Sequence, residues 1–212
     1  MLQNISPGLY VILDKTALAK RNFFQVSRRI ISARPQLVQL RDKQGEGGEI
    51  LETALRLRAL CQAKKVKFII NDRLDLALLA GSDGVHLGQE DIPIKVARRF
   101  LGKDKIIGIS CHSLSQALRA QRQGADYISI GPVFSTPTKP EYKPVGLKLI
   151  SQIRPKIRIP FFAIGDVRSS NLNKILAAGA RNVAVCREVC LAIDPAVAVR
   201  KLKRFLKVTK VP

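Results

Sequence analysis

Short apolar runs alternate with longer amphipathic segments along the whole chain. Runs rich in Val, Ile and Leu and bounded by turn residues are typical of buried strands, and apolar residues at helical spacing predict helices. Eight runs predict strands at Leu9–Leu13, Leu37–Arg41, Phe68–Ile70, Gly84–Leu87, Ile106–Ser110, Tyr127–Ile130, Phe161–Ile164 and Asn182–Val185. Helices are predicted at residues 21–33, 49–64, 74–80, 93–101, 113–123 with Ser113 as its N-cap, 147–153, from an N-cap at Ser169 or Ser170 to 178, and over the basic C-terminal segment.

Strands that alternate with helices predict a parallel sheet, since each helix carries the chain back to the same end. Eight such units in 212 residues predict an α/β fold, a closed (β/α)8 TIM barrel that forms a single domain over residues 1–212. An open doubly wound sheet is the alternative, but no G-x-G-x-x-G follows the first strand.

The chain is strongly basic, with a formal net charge of +21. Such a field attracts polyanions, including nucleic acid and acidic membranes. The basic residues are spread over the chain, however, and the densest run carries apolar residues at helical spacing: Val199, Leu202, Phe205 and Leu206. This pattern favours a terminal helix that packs on the core with a solvated basic face, so we expect neither nucleic acid nor a membrane as a partner.

No apolar run is long enough to span a bilayer, and no charged segment precedes an apolar stretch at the N-terminus. The four cysteines form no C-x-x-C pair, and no histidine lies near Cys186 or Cys190. We therefore expect a cytoplasmic protein with reduced thiols and without a zinc site.

Polar side chains follow most of the predicted strands where each strand ends. In a barrel these ends share one rim, which is where active sites lie. The rim residues are Gln39, Arg41, Lys43, Asn71, Asp72, Gln89, Asp91, Ser110, Thr136, Thr138, Lys139 and Gly165. Each turn alone could be a helix cap or an ion pair, but their joint placement favours one binding pocket.

Asp72 and Asp91 are the carboxylate pair of this rim. Mg²⁺ is commonly held by one or two carboxylates together with substrate phosphates, so the pair predicts a magnesium site. The alternative is structural, with Asp72 paired to Arg73 and Asp91 capping the following helix. Arg41, Lys43 and Lys139 would neutralise a diphosphate, while Gln39 and Asn71 offer amide groups to a polar ring.

The loop after the sixth strand, Gly131 to Pro140, contains three prolines, three hydroxyl side chains and one lysine. Such a stiff loop suits a phosphate chain, although a surface turn would have a similar composition. A second anion site is expected between the last two loops, at Gly165 and Arg187. His86 lies within a strand and is interpreted as structural, whereas His112 at the rim could serve as an acid and base or as a packing group.

Several of these segments, in this order, resemble thiamine phosphate synthase over nearly the full chain. They are Gln39-Leu40-Arg41-Asp42-Lys43, Ile70-Asn71-Asp72-Arg73, Gly84-Val85-His86-Leu87-Gly88-Gln89-Glu90-Asp91, Gly131-Pro132-Val133-Phe134 and Thr136-Pro137-Thr138-Lys139. The resemblance implies a (β/α)8 barrel and a Mg²⁺-dependent transferase. That family couples hydroxymethylpyrimidine diphosphate with hydroxyethylthiazole phosphate and releases pyrophosphate.

The resemblance also implies roles for individual residues. The residues expected around the pyrimidine diphosphate are Gln39, Arg41, Lys43, Asn71, Ser110 and Lys139, of which Ser110, Lys139 and Arg41 are the predicted catalytic residues. Asp72 and Asp91 would hold Mg²⁺. The residues expected to face the thiazole phosphate are Thr136, Thr138, Gly165 and Arg187.

Two positions depart from the family pattern. The family has Gly-Gly after the seventh strand, whereas Asp166 occupies the second position here, and Cys186-Arg187-Glu188 follows the eighth strand where a serine is common. A carboxylate repels a nearby phosphate unless a cation intervenes. We expect Arg187 to offset Asp166, by pairing with it or by binding the phosphate itself.

Two other functions stay open at this point. One is a thiazole tautomerase with His112 as its acid and base, although such relatives tend to lose the diphosphate-binding residues that this chain keeps. The other is a non-catalytic protein, either a binder of phosphorylated small molecules, against which the intact Asp72 and Asp91 pair argues, or a basic nucleic-acid protein, against which the absence of any RNA or DNA motif argues. Homo-oligomerisation is also left open.

Overall fold

The computed structural model describes residues 8–137 and 142–208. Eight parallel strands close into a barrel in chain order, and β8 pairs with β1 to complete it. The strands are β1 (Gly8–Asp14), β2 (Leu37–Arg41), β3 (Lys67–Asn71), β4 (Gly84–Leu87), β5 (Ile106–Cys111), β6 (Tyr127–Ile130), β7 (Phe161–Ala163) and β8 (Asn182–Val185). The predicted barrel and all eight predicted strands are confirmed.

Helices surround the barrel and connect its strands. They are α1 (Phe23–Ser32), α2 (Gly47–Ala63), α3 (Leu74–Leu79), α4 (Ile94–Leu101), α5 (Leu114–Arg122), α6 (Gly146–Ile153), α7 (Leu172–Ala177), α8 (Arg187–Cys190) and α9 (Pro195–Val208). The Ser113 hydroxyl caps α5 by accepting the Gln116 N–H at 3.2 Å, as predicted. The predicted cap of α7 is wrong, because α7 begins after Asn171, and the short helix α8 was not predicted.

The C-terminal helix α9 packs as its apolar spacing predicts. Val199, Leu202 and Leu206 are buried, and Phe205 packs partly buried against the same core. Within the described ranges no helix is long and apolar enough to cross a membrane.

Side chains alternate between two cores along each strand, because successive residues point to opposite faces. The larger core lies between strands and helices, and a smaller one fills the barrel interior. The interior residues are Tyr10, Leu37, Ile69, Ile106, Tyr127, Phe162 and Ala184. Because side chains alternate, the next inward-pointing residue of each strand lies two positions further on, closer to the carboxyl-end rim.

Gly108 on β5 makes room for the ring of Tyr127 on β6. A Cβ atom at Gly108 would lie 2.1 Å from Cζ of that ring, which is far inside van der Waals contact. Glycine at this position therefore lets a tyrosine lie across the barrel interior, directly below the rim.

Candidate active site

An open cavity of about 950 Å³, counting the space at its mouth, lies at the carboxyl ends of the strands. The predicted site residues that border it are Gln39, Arg41, Asn71, Ser110, Thr136, Gly165 and Arg187. The predicted residues Thr138 and Lys139 lie outside the described residues. The barrel thus brings turns that are far apart in sequence to one pocket.

Asp72 and Asp91 come together at the ends of β3 and β4, beside Lys43. Lys43 forms an ion pair with Asp72, and the Oδ2 atom of Asp91 accepts the Gly88 N–H at 2.6 Å. Burial raises the pKa of the Asp91 carboxyl, and the neighbouring Asp72 carboxylate raises it further. A carboxylate whose charge is destabilised by burial and by a second carboxylate is suited to a cation.

The structural roles considered for these two aspartates, an ion pair of Asp72 with Arg73 and a helix cap by Asp91, are wrong. Arg73 forms its ion pair with Asp75 at 2.6 Å rather than with Asp72. Asp91 bonds the Gly88 backbone, while Pro93 occupies the N-cap position of α4. The described residues contain no group of three or more His, Cys, Asp or Glu side chains suited to a metal ion. A cation at this pair would need further ligands, and Mg²⁺ usually takes them from substrate phosphates and waters.

Arg41 is held at the rim by Asp14, a residue that sequence reasoning missed. The two form an ion pair, and the register places Asp14 of β1 directly beside Arg41 of β2. The Asp14 side chain is 2% exposed and that of Arg41 is 15% exposed. Asp14 also accepts the Ala17 N–H at 2.9 Å. This partly buried pair fixes the guanidinium at the cavity wall.

The turn after β7 places Gly165 and Asp166 beside the cavity. Asp166 has a positive φ of 46°, a conformation that glycine adopts freely and aspartate tolerates better than most residues. Its carboxylate pairs with Arg168 at 2.9 Å. The expected pairing with Arg187 is wrong, because Arg187 forms no ion pair within the described ranges, although it borders the cavity as expected.

Glu188 links the turns after β7 and β8. Its Oε1 atom accepts both the backbone N–H and the hydroxyl of Ser169 at 2.9 Å. Ser169 thus joins the two loops instead of capping α7. The link holds both loops at the part of the cavity wall where Gly165 and Arg187 lie.

Gly165→Ala should destabilise the protein strongly. Gly165 has a φ of 106°, and an added Cβ would lie 2.5 Å from Cα of Pro132 and 2.6 Å from the Val133 nitrogen. Backbone atoms cannot move aside as a flexible side chain can, so we expect a loss of about 2–4 kcal/mol of unfolding free energy. Chemical denaturation measures this loss. Gly48→Ala, where an added Cβ meets nothing within 4 Å, is the matched control.

Other residues that border the cavity were not predicted as site residues, because they lie within apolar strands or beside them. Tyr10, His86, Ser129, Cys186 and Glu188 all border the cavity. His86, which was interpreted as structural, bonds Ser110 through Nε2 at 3.0 Å. The sequence contained one indication that a strand residue borders the site, namely a polar residue inside an apolar run. Strand alternation can turn such a residue into the barrel.

His112 is tied to the loop after β6. Its Nδ1 atom donates to the Gly131 carbonyl at 2.5 Å, and its ring stacks on Tyr142 with 4.6 Å between centroids. These contacts give His112 a packing role, while its position on the cavity wall keeps it near any bound ligand.

Comparison with known proteins agrees with this geometry. The family model described as thiamine monophosphate synthase matches residues 9–189. A thiamine-phosphate synthase of Chloroflexus aurantiacus is 40% identical over 203 residues, which cover 95% of this chain and 94% of that protein. One from Synechococcus sp. (strain WH7803) is 49% identical over 170 residues, and there the match covers 80% of this chain but only 48% of the relative.

A solved structure matches as well. The thiamine phosphate pyrophosphorylase from Pyrococcus furiosus superimposes with a TM-score of 0.88 and 33% sequence identity, covering 98% of each chain.

Proposed function

This chain belongs to the thiamine monophosphate synthase family, and we propose that it couples hydroxymethylpyrimidine diphosphate with hydroxyethylthiazole phosphate to give thiamine phosphate and pyrophosphate. One observation carries the proposal. Asp72, Asp91 and Lys43 come together just beyond the ends of β2, β3 and β4, and Arg41 borders the cavity at the end of β2. Such a set suits a magnesium diphosphate far better than an uncharged ligand.

In this proposal Asp72 and Asp91 would hold Mg²⁺, which, when bound, neutralises charge on the diphosphate. Arg41 and Lys43 stabilise the negative charge that develops as pyrophosphate departs. Lys139 would add a third cation to this set. Gln39, Asn71 and Ser110 orient the pyrimidine ring, so that its methylene carbon faces the thiazole nitrogen once the bond to pyrophosphate breaks.

The thiazole phosphate would occupy the other side of the cavity. Gly165 permits close approach of backbone to ligand, and Thr136 and Arg187 border the same space. Thr138 would act with them from the loop after β6. Arg187 supplies a cation there, while Asp166 carries an opposing charge that Arg168 offsets.

Arg168→Ala should weaken use of the thiazole phosphate, because it leaves the Asp166 carboxylate uncompensated. The Arg168 side chain is 57% exposed, so we expect only about a threefold to tenfold rise in the apparent KM. In an Asp166→Gly background the same change should have little effect. A double-mutant cycle on KM measures this coupling. Strictly additive effects would contradict the role of Arg168.

Substrate omission tests the proposed function. Thiamine phosphate should form only when both substrates and Mg²⁺ are present, and EDTA should stop its formation. The tautomerase alternative predicts a different result, namely isomerisation of a thiazole that depends on His112 and releases no pyrophosphate. Full synthesis in EDTA would contradict the metal role alone, and no synthesis under any condition would contradict the proposed function.

A further inference from the structure

A chain of hydrogen bonds runs through the barrel interior from Gln39 to Ser110. Gln39 Nε2 bonds the Tyr10 hydroxyl at 2.6 Å, which bonds the Tyr127 hydroxyl at 2.9 Å. The Tyr127 hydroxyl bonds Nδ1 of His86 at 2.9 Å, and Nε2 of His86 bonds Oγ of Ser110 at 3.0 Å. Both ends of the chain, Gln39 and Ser110, border the cavity.

Each hydrogen bond in this series fixes which partner donates in the next one. The amide nitrogen of Gln39 can only donate, so the Tyr10 oxygen accepts and the Tyr10 proton goes to Tyr127. The Tyr127 proton then goes to Nδ1 of His86. When the imidazole is neutral, its proton is then on Nε2, which faces the hydroxyl of Ser110 at 3.0 Å and that of Ser129 at 3.3 Å. Burial raises the pKa of both phenols, so they stay protonated and keep one proton each.

Ser110 receives a second bond at the same end. The Ser129 hydroxyl donates to Oγ of Ser110 at 3.4 Å, so Ser110 accepts from both Ser129 and His86. The proton of the Ser110 hydroxyl is left to point into the cavity. At the other end one N–H of the Gln39 amide is used by Tyr10, and this fixes the amide so that its carbonyl oxygen is available to a ligand.

The two ends are coupled because each phenol has a single proton. Turning the Gln39 amide over would reverse every bond in the chain, and Ser110 would then donate to His86 rather than to a ligand. We propose that Tyr10, Tyr127 and His86 are positioning residues that hold Gln39 as an acceptor and Ser110 as a donor at the ring-binding side of the cavity.

This acceptor and donor pair matches one ring pattern, and the match rests on the proposed function. The pyrimidine half of thiamine carries an exocyclic amine, a donor, beside a ring nitrogen that accepts. Its 4-oxo analogue presents the reverse pattern, a carbonyl beside a ring N–H. The hydrogen-bond chain should therefore favour the amino ring over the oxo ring, because reversal of one end requires reversal of the whole chain.

The direction of the chain can be measured on the wild-type protein by ¹⁵N NMR of the histidine rings at about pH 8.5, where ordinary imidazoles are neutral. His86 should be the Nε2–H tautomer. His112 should be the Nδ1–H tautomer, because its Nδ1 donates to a carbonyl. The spectrum of His112→Asn assigns the two rings. An Nδ1–H tautomer at His86 would overturn the proposed direction, whatever the enzyme's activity.

The coupling is tested by ring selectivity, the ratio of kcat/KM for the amino and 4-oxo pyrimidine diphosphates. We expect the wild type to prefer the amino ring by at least about 10³-fold, as sites that hydrogen-bond a substrate group do. Tyr127→Phe and Tyr10→Phe each cut the chain while keeping the ring, and should lower this preference about tenfold or more. Tyr142 takes no part in this series of hydrogen bonds, so Tyr142→Phe should leave the ratio unchanged.

The outcomes distinguish the positioning role of these residues from the proposed function. Folded Tyr127→Phe and Tyr10→Phe variants with the wild-type ratio would overturn the positioning role. If both variants fail to fold, the tautomer of His86 in the wild type still decides whether the chain has the proposed direction. A wild type that uses neither ring would contradict the proposed function instead.

Discussion

Asp91→Asn should remove most of the turnover while leaving the fold at least as stable as the wild type. The variant loses one of two carboxylates that would hold Mg²⁺, and metal ions contribute several kcal/mol of transition-state stabilisation. At 1.36 kcal/mol per tenfold in rate, this predicts a loss of at least about a hundredfold. Stability should not fall, because the change relieves repulsion by Asp72, and the new amide oxygen can still accept the Gly88 N–H.

The measurement pairs steady-state turnover with a thermal melt, both in Mg²⁺ and in EDTA. Asp75→Asn is the matched control, because Asp75 lies on nearby α3 in an exposed ion pair with Arg73 and should leave turnover unchanged. Asp72→Asn should behave like Asp91→Asn, apart from losing the ion pair with Lys43. Near-normal turnover in Asp91→Asn would remove the case for a metal at this pair.

Arg41→Met should destabilise the barrel as well as abolish activity. Asp14 is almost fully buried, so removing its partner leaves a buried charge without compensation. Breaking such a pair typically costs about 3–5 kcal/mol. In a chain of this size each kcal/mol lowers the melting temperature by about 2–4 °C. We therefore expect a fall of about 6–20 °C, together with loss of diphosphate binding.

The double variant Asp14→Asn/Arg41→Met separates structure from catalysis. It removes the buried charge, and the new amide oxygen can still accept the Ala17 N–H, so most of the lost stability should return. Activity should not return, because the guanidinium is still missing from the cavity wall. Recovery of activity in the double variant would show that Arg41 only supports the fold.

The barrel was predictable because its strands are buried on both faces and therefore appear as continuous apolar runs. The position of the rim residues followed from the barrel alone, since parallel strands deliver their carboxyl ends to one side. This is why Gln39, Arg41, Asn71 and Ser110, predicted from separate strand ends, border one cavity in the structure.

What escaped prediction depends on contacts between segments. Asp14 lies 27 residues from Arg41 in sequence and meets it only through strand register. Tyr127 and His86 look like ordinary strand residues until Gly108 makes space for the Tyr127 ring inside the barrel. The partner of Asp166 was misassigned because the tight turn at positive φ places Arg168, only two residues on, 2.9 Å from the carboxylate.

The central claim is that the rim joins a pyrimidine diphosphate to a thiazole phosphate. Its most direct test is a single-turnover reaction with the protein in excess over both substrates and with Mg²⁺ present, in which thiamine phosphate and pyrophosphate are quantified after quenching. We predict that the two products form in equal amounts and at the same rate. Pyrophosphate without thiamine phosphate would indicate a hydrolase, and the absence of both products would contradict the account.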